Sequence, residues 1–344
     1  MTASTVARAL QNVCWEGLRK VGVTPKRIAN LAGTSALKPD QKKLLQQMRS
    51  DNRAAPSPYR ASEIWNDLAH RFEDWFCWEG IGEVEQQTMN RFFSSPHAGD
   101  PKLLRYACWL LYQNIKSRDK LDLLTKIQAT VSPASGYAFE FEGRCISWDL
   151  LISLDSLYAI AEVDQSIFTE PVIVAEIGAG WGRMGYVLKM ANPKATYVVL
   201  DLPEALLVSS MYLPRLLPQE RVLSYRDSRT VHTFNKQTLS PWGCVFLGAQ
   251  DLDRFEDKSV DFVINIASFQ EMTYDQVDQY FTAIDRKLSG TMYTLQLWDT
   301  KTHAYNLGEV SGYEDFPFRS SWKSHYARHA SWSDLYFEAA ISVP

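Results

Sequence analysis

Three glycines at alternate positions, Gly178, Gly180 and Gly182, follow directly on the apolar run Val172-Ile173-Val174-Ala175-Glu176-Ile177 and lead into a stretch of helical spacing from Arg183. Glycine permits the turn and lets backbone amides approach a ligand with no side chain in the way. An anionic group there is favoured by those amides and by the amino-terminal end of the helix dipole. Ala179 belongs to the same loop, and Glu176 stands two residues ahead of its first glycine. A second apolar run, Thr196 to Asp201, ends in a carboxylate about twenty residues further on, the spacing expected of one nucleotide-binding unit. In a doubly wound sheet that carboxylate lies beside the glycine loop, in the crevice where ligands bind, and can accept both hydroxyls of a ribose. Leu202 shares that rim.

Further along, Glu271 follows the fourth strand of this half, Asp299 ends the fifth and His303 comes four residues later. All three are expected at the crevice, because it lies at the carboxyl ends of the strands. His303 suits a base near neutral pH. Asp299 is a candidate to orient His303 or to help hold a divalent cation. Plainer readings stand beside these: Glu271 as a cap for the helix that begins near Thr273, and His303 as a solvated loop residue. His325 and His329 lie in a basic, aromatic segment and rank below both. Trp181 has two readings, contact with a bound ligand or packing against upstream helices. Trp65, Trp75, Phe76 and Trp78 have two readings, stacking on a sugar ring or ordinary core packing, and their helical spacing favours the second. Tyr112 and Lys116 have Tyr-x-x-x-Lys spacing but precede the glycine loop, and chance on an exposed helix face accounts for them. No G-x-x-x-x-G-K-[ST] loop and no H-E-x-x-H pair occurs, so neither P-loop hydrolysis nor zinc-dependent proteolysis has a sequence basis.

The elements that position these groups follow from periodicity. From Val6 to about Val163 apolar residues recur at helical spacing, with helices expected over Ile64–Trp78, from Asp100-Pro101 onward and over Ser147–Val163. Breaks fall at Ala55-Pro56-Ser57-Pro58 and Ser132-Pro133-Ala134-Ser135-Gly136, and Tyr137–Gly143 reads as a short strand or an extended linker. From Pro171 strand, loop and helix alternate, which predicts a parallel sheet covered by helices. The strands expected are Val172–Ile177, Thr196–Asp201, Gly243–Leu247, Asp261–Ile266 and Met292–Trp298, with helices around Arg183–Met190, Glu204–Tyr212 and Asp275–Leu288. The fold class is therefore α/β: a doubly wound, mostly parallel sheet preceded by a mainly α-helical region. Two domains are expected in 344 residues, divided as 1–150 and 151–344.

A hydrophobic fraction of 46%, a charged fraction of 22% and a net charge of -4 describe a soluble globular chain without the positive field that recruits nucleic acid or an anionic membrane. The five cysteines lack C-x-x-C spacing, so neither a zinc site nor a disulfide framework is expected. With no signal peptide and no apolar run of bilayer length, a cytoplasmic location follows.

The loop spacing is G-x-G-x-G, with Arg183 where the dinucleotide fingerprint requires a third glycine. With Glu176 ahead of the glycines, Pro171 to Asp201 resembles the core of the Rossmann-like S-adenosylmethionine (SAM)-dependent methyltransferases. The resemblance continues through Gly248-Ala249-Gln250-Asp251-Leu252 and Phe255–Val263, and covers about the last half of the chain. It implies SAM as cofactor, with Glu176, Gly178, Ala179, Gly180, Gly182, Asp201, Leu202 and Asn265 around it. Ala249 departs from the pattern, standing where many relatives carry the acid that faces adenine, so Gln250 or Asp251 is left for that role. Ser268-Phe269-Gln270-Glu271-Met272 and Ser147–Leu154 further resemble stretches of the sugar O-methyltransferases of bacterial polysaccharide and natural-product clusters. That likeness implies a sugar-like small-molecule acceptor, Glu271 as the favoured base, and a helical amino-terminal region that shapes the acceptor pocket or serves a homodimer. A non-sugar small-molecule acceptor, a nicotinamide-dependent oxidoreductase and a non-catalytic SAM-binding module are the competing readings.

Overall fold

Strands buried on both faces are written as unbroken apolar runs, and the run before the glycine loop forms a strand over Ile173–Ile177 with every residue buried. The computed structural model describes residues 37–62, 65–66, 100–130, 138–299, 309–310 and 312–344. Strands β1 (Ala138–Phe141) and β2 (Arg144–Ser147) form an antiparallel hairpin, which resolves the short-strand or linker reading of that segment as a strand. The other strands are β3 (Ile173–Ile177), β4 (Thr196–Asp201), β5 (Val222–Leu223), β6 (Cys244–Gly248), β7 (Val260–Ile266), β8 (Leu288–Leu297), β9 (Lys323–Ala330) and β10 (Ser333–Ser342). They form a single sheet in the order β5-β6-β4-β3-β7-β8-β10-β9. From β5 to β8 every pairing is parallel, whereas β10 runs antiparallel to both β8 and β9.

The longer helices are α1 (Pro39–Ala54), α2 (Pro101–Lys116), α3 (Trp148–Ala161), α4 (Arg183–Ala191), α5 (Pro203–Leu216) and α6 (Tyr274–Lys287). Successive strand residues point to opposite faces, and the core divides accordingly. Val174, Tyr197, Val199, Phe246, Phe262 and Ile264 pack with residues of α2 to α5, while Ala175, Ile177, Val198, Leu200, Val245 and Val263 pack with α6. The sheet is thus covered on both sides, as the alternating pattern predicts. Helix α3 is buried along its whole length, in keeping with a helix that is apolar on nearly every side. Its start is fixed by Ser147, whose hydroxyl accepts from the Leu150 N–H at 3.2 Å.

Helix α1 ends at Ala54, just ahead of Pro56, and a 3-10 turn spans Ser57–Tyr59. Asp100 caps α2 by accepting from the Lys102 N–H at 2.8 Å. The helix expected over Ile64–Trp78 lies outside the described residues apart from 65 and 66, as does the break at 132–136. Three sequence expectations need correction. Tyr112 is not on an exposed face: it is buried against Phe141, and with Lys116 it converges on Glu142 at the hairpin turn. Strand β8 starts at Leu288 because α6 runs directly into it. Strands β9 and β10 were not expected; the lysine, histidines and arginine of β9 mask its strand character, yet such charges suit an edge by discouraging pairing with another sheet.

Among the described residues no helix is long and apolar enough to cross a membrane.

Candidate active site

Register brings the candidate residues level. Ile177 of β3 pairs with Leu200 of β4, and Asp201 of β4 pairs with Gly248 of β6. The carboxyl ends of these strands therefore open on one crevice, the place where doubly wound sheets hold ligands. The Gly178 N–H extends the ladder one step by donating to the Leu200 carbonyl at 2.8 Å.

Gly178 and Gly180 both adopt left-handed backbone, with φ of 72° and 60°, a region open to glycine at little cost. Their surroundings differ. A Cβ on Gly178 would lie 2.1 Å from the Ser268 hydroxyl, whereas one on Gly180 would meet nothing within 4 Å. The loop thus packs tightly on the carboxyl end of β7 on one side and leaves a bare space on the other. Gly182 ends the loop as the residue preceding α4.

Asp201 is buried and holds this loop. One carboxylate oxygen accepts from the Gly180 N–H at 2.7 Å and the other from the Leu202 N–H at 2.6 Å. Burial pushes its carboxyl up to about 7, although both amide hydrogen bonds pull it down. Each carboxylate oxygen can accept a further bond, so the geometry leaves capacity for a ligand hydroxyl.

Glu176 points to the face carrying α3 and α4, where it accepts from the Tyr197 hydroxyl. Burial raises its carboxyl to about 8, opposed by that hydrogen bond and by Arg183. Arg183 in turn pairs with Asp149 of α3, both side chains being buried. Trp181 packs edge-on against Tyr212 of α5, ring centroids 5.3 Å apart.

The remaining cofactor candidates separate. Asn265 is wholly engaged in structure: its amide nitrogen donates to the Ile177 carbonyl at 2.8 Å, and its oxygen accepts from the Phe269 N–H at 3.1 Å and from Gln296 at 2.6 Å. It clamps β3 to the turn after β7 and does not face the crevice with a free group. Asp251 is likewise committed, accepting from the Gly248 N–H at 2.9 Å, from Arg254 at 2.9 Å and from Arg229. Two guanidiniums account for its buried charge, which leaves Gln250, half-buried against Gly248, as the amide at the end of β6. Ala179 is buried within the loop.

Glu271 closes the 3-10 turn Phe269–Glu271 after β7. Its carboxylate accepts from the indole Nε1 of Trp65 at 2.8 Å. Burial raises the carboxyl to about 8, while the indole bond lowers it. The helix-cap reading of Glu271 is overturned, because Thr273 caps α6 itself: its hydroxyl accepts from the Gln276 N–H at 3.3 Å and its own N–H donates to the Gln276 side chain at 3.1 Å. Tyr336 of β10 lies close enough to Arg183 and Glu271 for both to act on its hydroxyl. Asp299 is half-buried two residues beyond β8, and His303 falls outside the described residues. Among the described residues no three His, Cys, Asp or Glu side chains are grouped so as to hold a metal ion.

Sequence reading gave no role to Asn52, favoured core packing for Trp65, and touched Asp149 and Ser268 only within stretches of family resemblance, yet all four reach this region. Each acts through a partner remote in sequence, so no local spacing could reveal it.

The architecture is that of a doubly wound α/β protein whose glycine loop and strand-end carboxylate share one crevice. No family model and no curated protein matches the chain. Among solved structures it is similar to a SAM-dependent methyltransferase from Aquifex aeolicus, at 12% identity and a TM-score of 0.35 over 55% of this chain and 92% of that one. It is also similar to geranyl diphosphate C-methyltransferase from Streptomyces coelicolor A3(2), solved with Mg2+, geranyl diphosphate and S-adenosyl-L-homocysteine, at 11% identity and a TM-score of 0.39 over 56% and 81% of the two chains. A third is the pyocyanin biosynthetic protein PhzM, at 12% identity and a TM-score of 0.36 over 57% of each chain. Likenesses this distant decide neither reaction nor substrate.

Proposed function

We propose that the chain is a SAM-dependent O-methyltransferase acting on a small hydroxylated acceptor of the sugar class, with residues 151–344 as the catalytic domain and the helical residues before them shaping the acceptor side. The observation that carries this reading is the bare face of Gly180, beside the Asp201 carboxylate at the common end of β3, β4 and β6. A methionyl carboxylate fits the bare space at Gly180 beside the start of α4, and ribose hydroxyls fit Asp201. The sheet adds support against a nicotinamide enzyme: leaving aside the two-residue edge strand β5, its parallel part follows the dinucleotide order as far as β8, but antiparallel β10 stands where a sixth parallel strand would.

Bound there, SAM would supply an electrophilic methyl, with its sulfur as the leaving group that keeps the bonding electron pair. Glu271 takes the proton from the acceptor hydroxyl as that oxygen bonds the methyl carbon. A carboxyl raised to about 8 by burial is well matched to accept that proton near neutral pH. Asp201 and the glycine loop hold the donor in place, and alignment of the two reactants supplies much of the rate enhancement. The sugar class rests on the resemblance of Ser147–Leu154 and Ser268–Met272. Both stretches border the loop, Asp149 through Arg183 and Ser268 beneath Gly178.

Calorimetric titration with S-adenosylhomocysteine tests the cofactor, and incubation with methyl-labelled SAM and a panel of sugars and phenols tests the acceptor. Saturable binding of S-adenosylhomocysteine and label in a sugar methyl ether are expected. Binding of NADH in place of S-adenosylhomocysteine would overturn the methyltransferase reading, and label found only in phenols would overturn the sugar class.

A further inference from the structure

Helix α1 and the turn after it lie along the crevice's nucleotide side. Arg49 pairs with Glu204 of α5 at 2.7 Å, and the Tyr225 hydroxyl donates to Asp51 at 2.7 Å. The Tyr59 hydroxyl donates to Asp253, after β6, at 2.7 Å, and its ring packs edge-on against Tyr280 of α6 at 5.4 Å. These partners follow β4, β5 and β6 or lie on α6, so the segment is anchored at several points round the rim that carries Asp201 and Gln250.

At the centre of that docked segment is Asn52, 7% exposed. Its amide nitrogen donates to the Tyr59 carbonyl at 2.8 Å and contacts the Gln250 side-chain oxygen at 3.4 Å. The first bond fixes which end of each amide faces where. A backbone carbonyl only accepts, so Asn52 must turn its nitrogen toward Tyr59 and Gln250. Gln250 must then answer with its oxygen. What remains is the Asn52 carbonyl oxygen, an acceptor, and the Gln250 amide nitrogen, a donor.

An acceptor beside a donor is the complement of one edge of adenine, whose exocyclic amine donates while the neighbouring ring nitrogen accepts. We infer that Asn52 and Gln250 together read the adenine edge of the nucleotide, so that a residue of α1, far from the glycine loop in sequence, sets base specificity. The inference rests on the reading of the crevice as a SAM site. It also gives Gln250 a defined partner in place of the acid absent at Ala249. Because the Tyr59 carbonyl locks Asn52, the pair does not invert to suit a hypoxanthine, which presents an oxygen where adenine has its amine and an N–H where adenine has its bare nitrogen.

The test compares S-adenosylhomocysteine with S-inosylhomocysteine by calorimetry on the full chain. The wild type is expected to favour the adenine ligand by about tenfold or more, the effect of leaving a buried polar pair mismatched. Asn52→Leu, which removes the locked acceptor, should bring the ratio close to one and Gln250→Leu should lower it, while Lys43→Ala, on the exposed side of α1, should keep it. If Asn52→Leu fails to fold, Gln250→Leu carries the comparison, since its side chain is only half-buried. Equal binding of both ligands by the wild type, or discrimination undiminished in the folded variants, overturns this inference alone. Binding of neither ligand by the wild type overturns the SAM-site reading together with it.

Discussion

Trp65 and Glu271 stand 206 positions apart and are joined by a 2.8 Å hydrogen bond from the indole Nε1 to a carboxylate oxygen. The bond ties a residue of the amino-terminal half to the end of β7. It also favours the ionised form of a carboxyl that burial otherwise holds at about 8.

That balance sets a pH profile. Only the ionised Glu271 accepts a proton, so the methylation rate should climb with pH and level off above about 8. Trp65→Phe removes a bond that favours ionisation, and the inflection should move to higher pH. Glu271→Gln should lower kcat by about 10²–10⁴-fold, the usual contribution of a general base. These are read from kcat against pH with the acceptor found in the labelling screen. A wild-type profile flat between pH 6 and 10, pH values chosen to bracket about 8, would remove Glu271 from the role of base.

Stability carries a second pH signature, independent of any acceptor. Glu176 and Asp201 have folded-state values of about 8 and about 7, above those of the unfolded chain. Between the unfolded and folded values the folded protein holds more protons on these two groups, so their contribution to stability is fully present below about pH 4, the unfolded carboxyl range, and is lost as pH rises toward 8. Each group contributes a slope of at most about 1.4 kcal/mol per pH unit inside its window. Urea midpoints measured across that range should fall with rising pH for the ligand-free protein. Glu176→Gln, whose amide oxygen still accepts from Tyr197, should flatten the fall, and an unchanged slope would mean that Glu176 titrates normally.

The two loop glycines should respond differently to alanine. At Gly178 the added carbon collides with Ser268 and the backbone is left-handed, so a loss of about 2–3 kcal/mol in stability is expected. At Gly180 only the backbone cost of about 1–2 kcal/mol applies, because the new methyl enters empty space. That space is the proposed cofactor seat, so Gly180→Ala should weaken S-adenosylhomocysteine binding by more than its stability loss accounts for. Thermal unfolding paired with calorimetry checks both. Unimpaired binding by Gly180→Ala would place the ligand on another face of the loop.

How much of this was legible in the sequence depended on range. The strand, glycine loop and Asp201 lie within one βαβ unit, and their chemistry is written in local spacing, so the structure finds them where they were expected. Asn265 and Asp251 look like ligands for the same local reason, yet partners supplied by other elements, Gln296 for one and Arg229 with Arg254 for the other, take up their polar atoms. Asn52 carries no local signal, and the partners of Trp65 and of Asp149 are set only when folding brings residues remote in sequence together. Strand β9 was hidden because an edge strand needs charge where an inner strand needs apolar residues.

The antiparallel insertion of β10 bears on biosynthesis. Ser333–Ser342 pairs with β8 on one side and β9 on the other, although it follows both in sequence. While the chain emerges from the ribosome, the open flank of β8, with Tyr293 and Leu295 along it, stays without its neighbour until that late segment is made. Unpaired apolar flanks of this kind invite association between nascent chains. The rate at which Ser333–Ser342 is translated should therefore influence the yield of native protein.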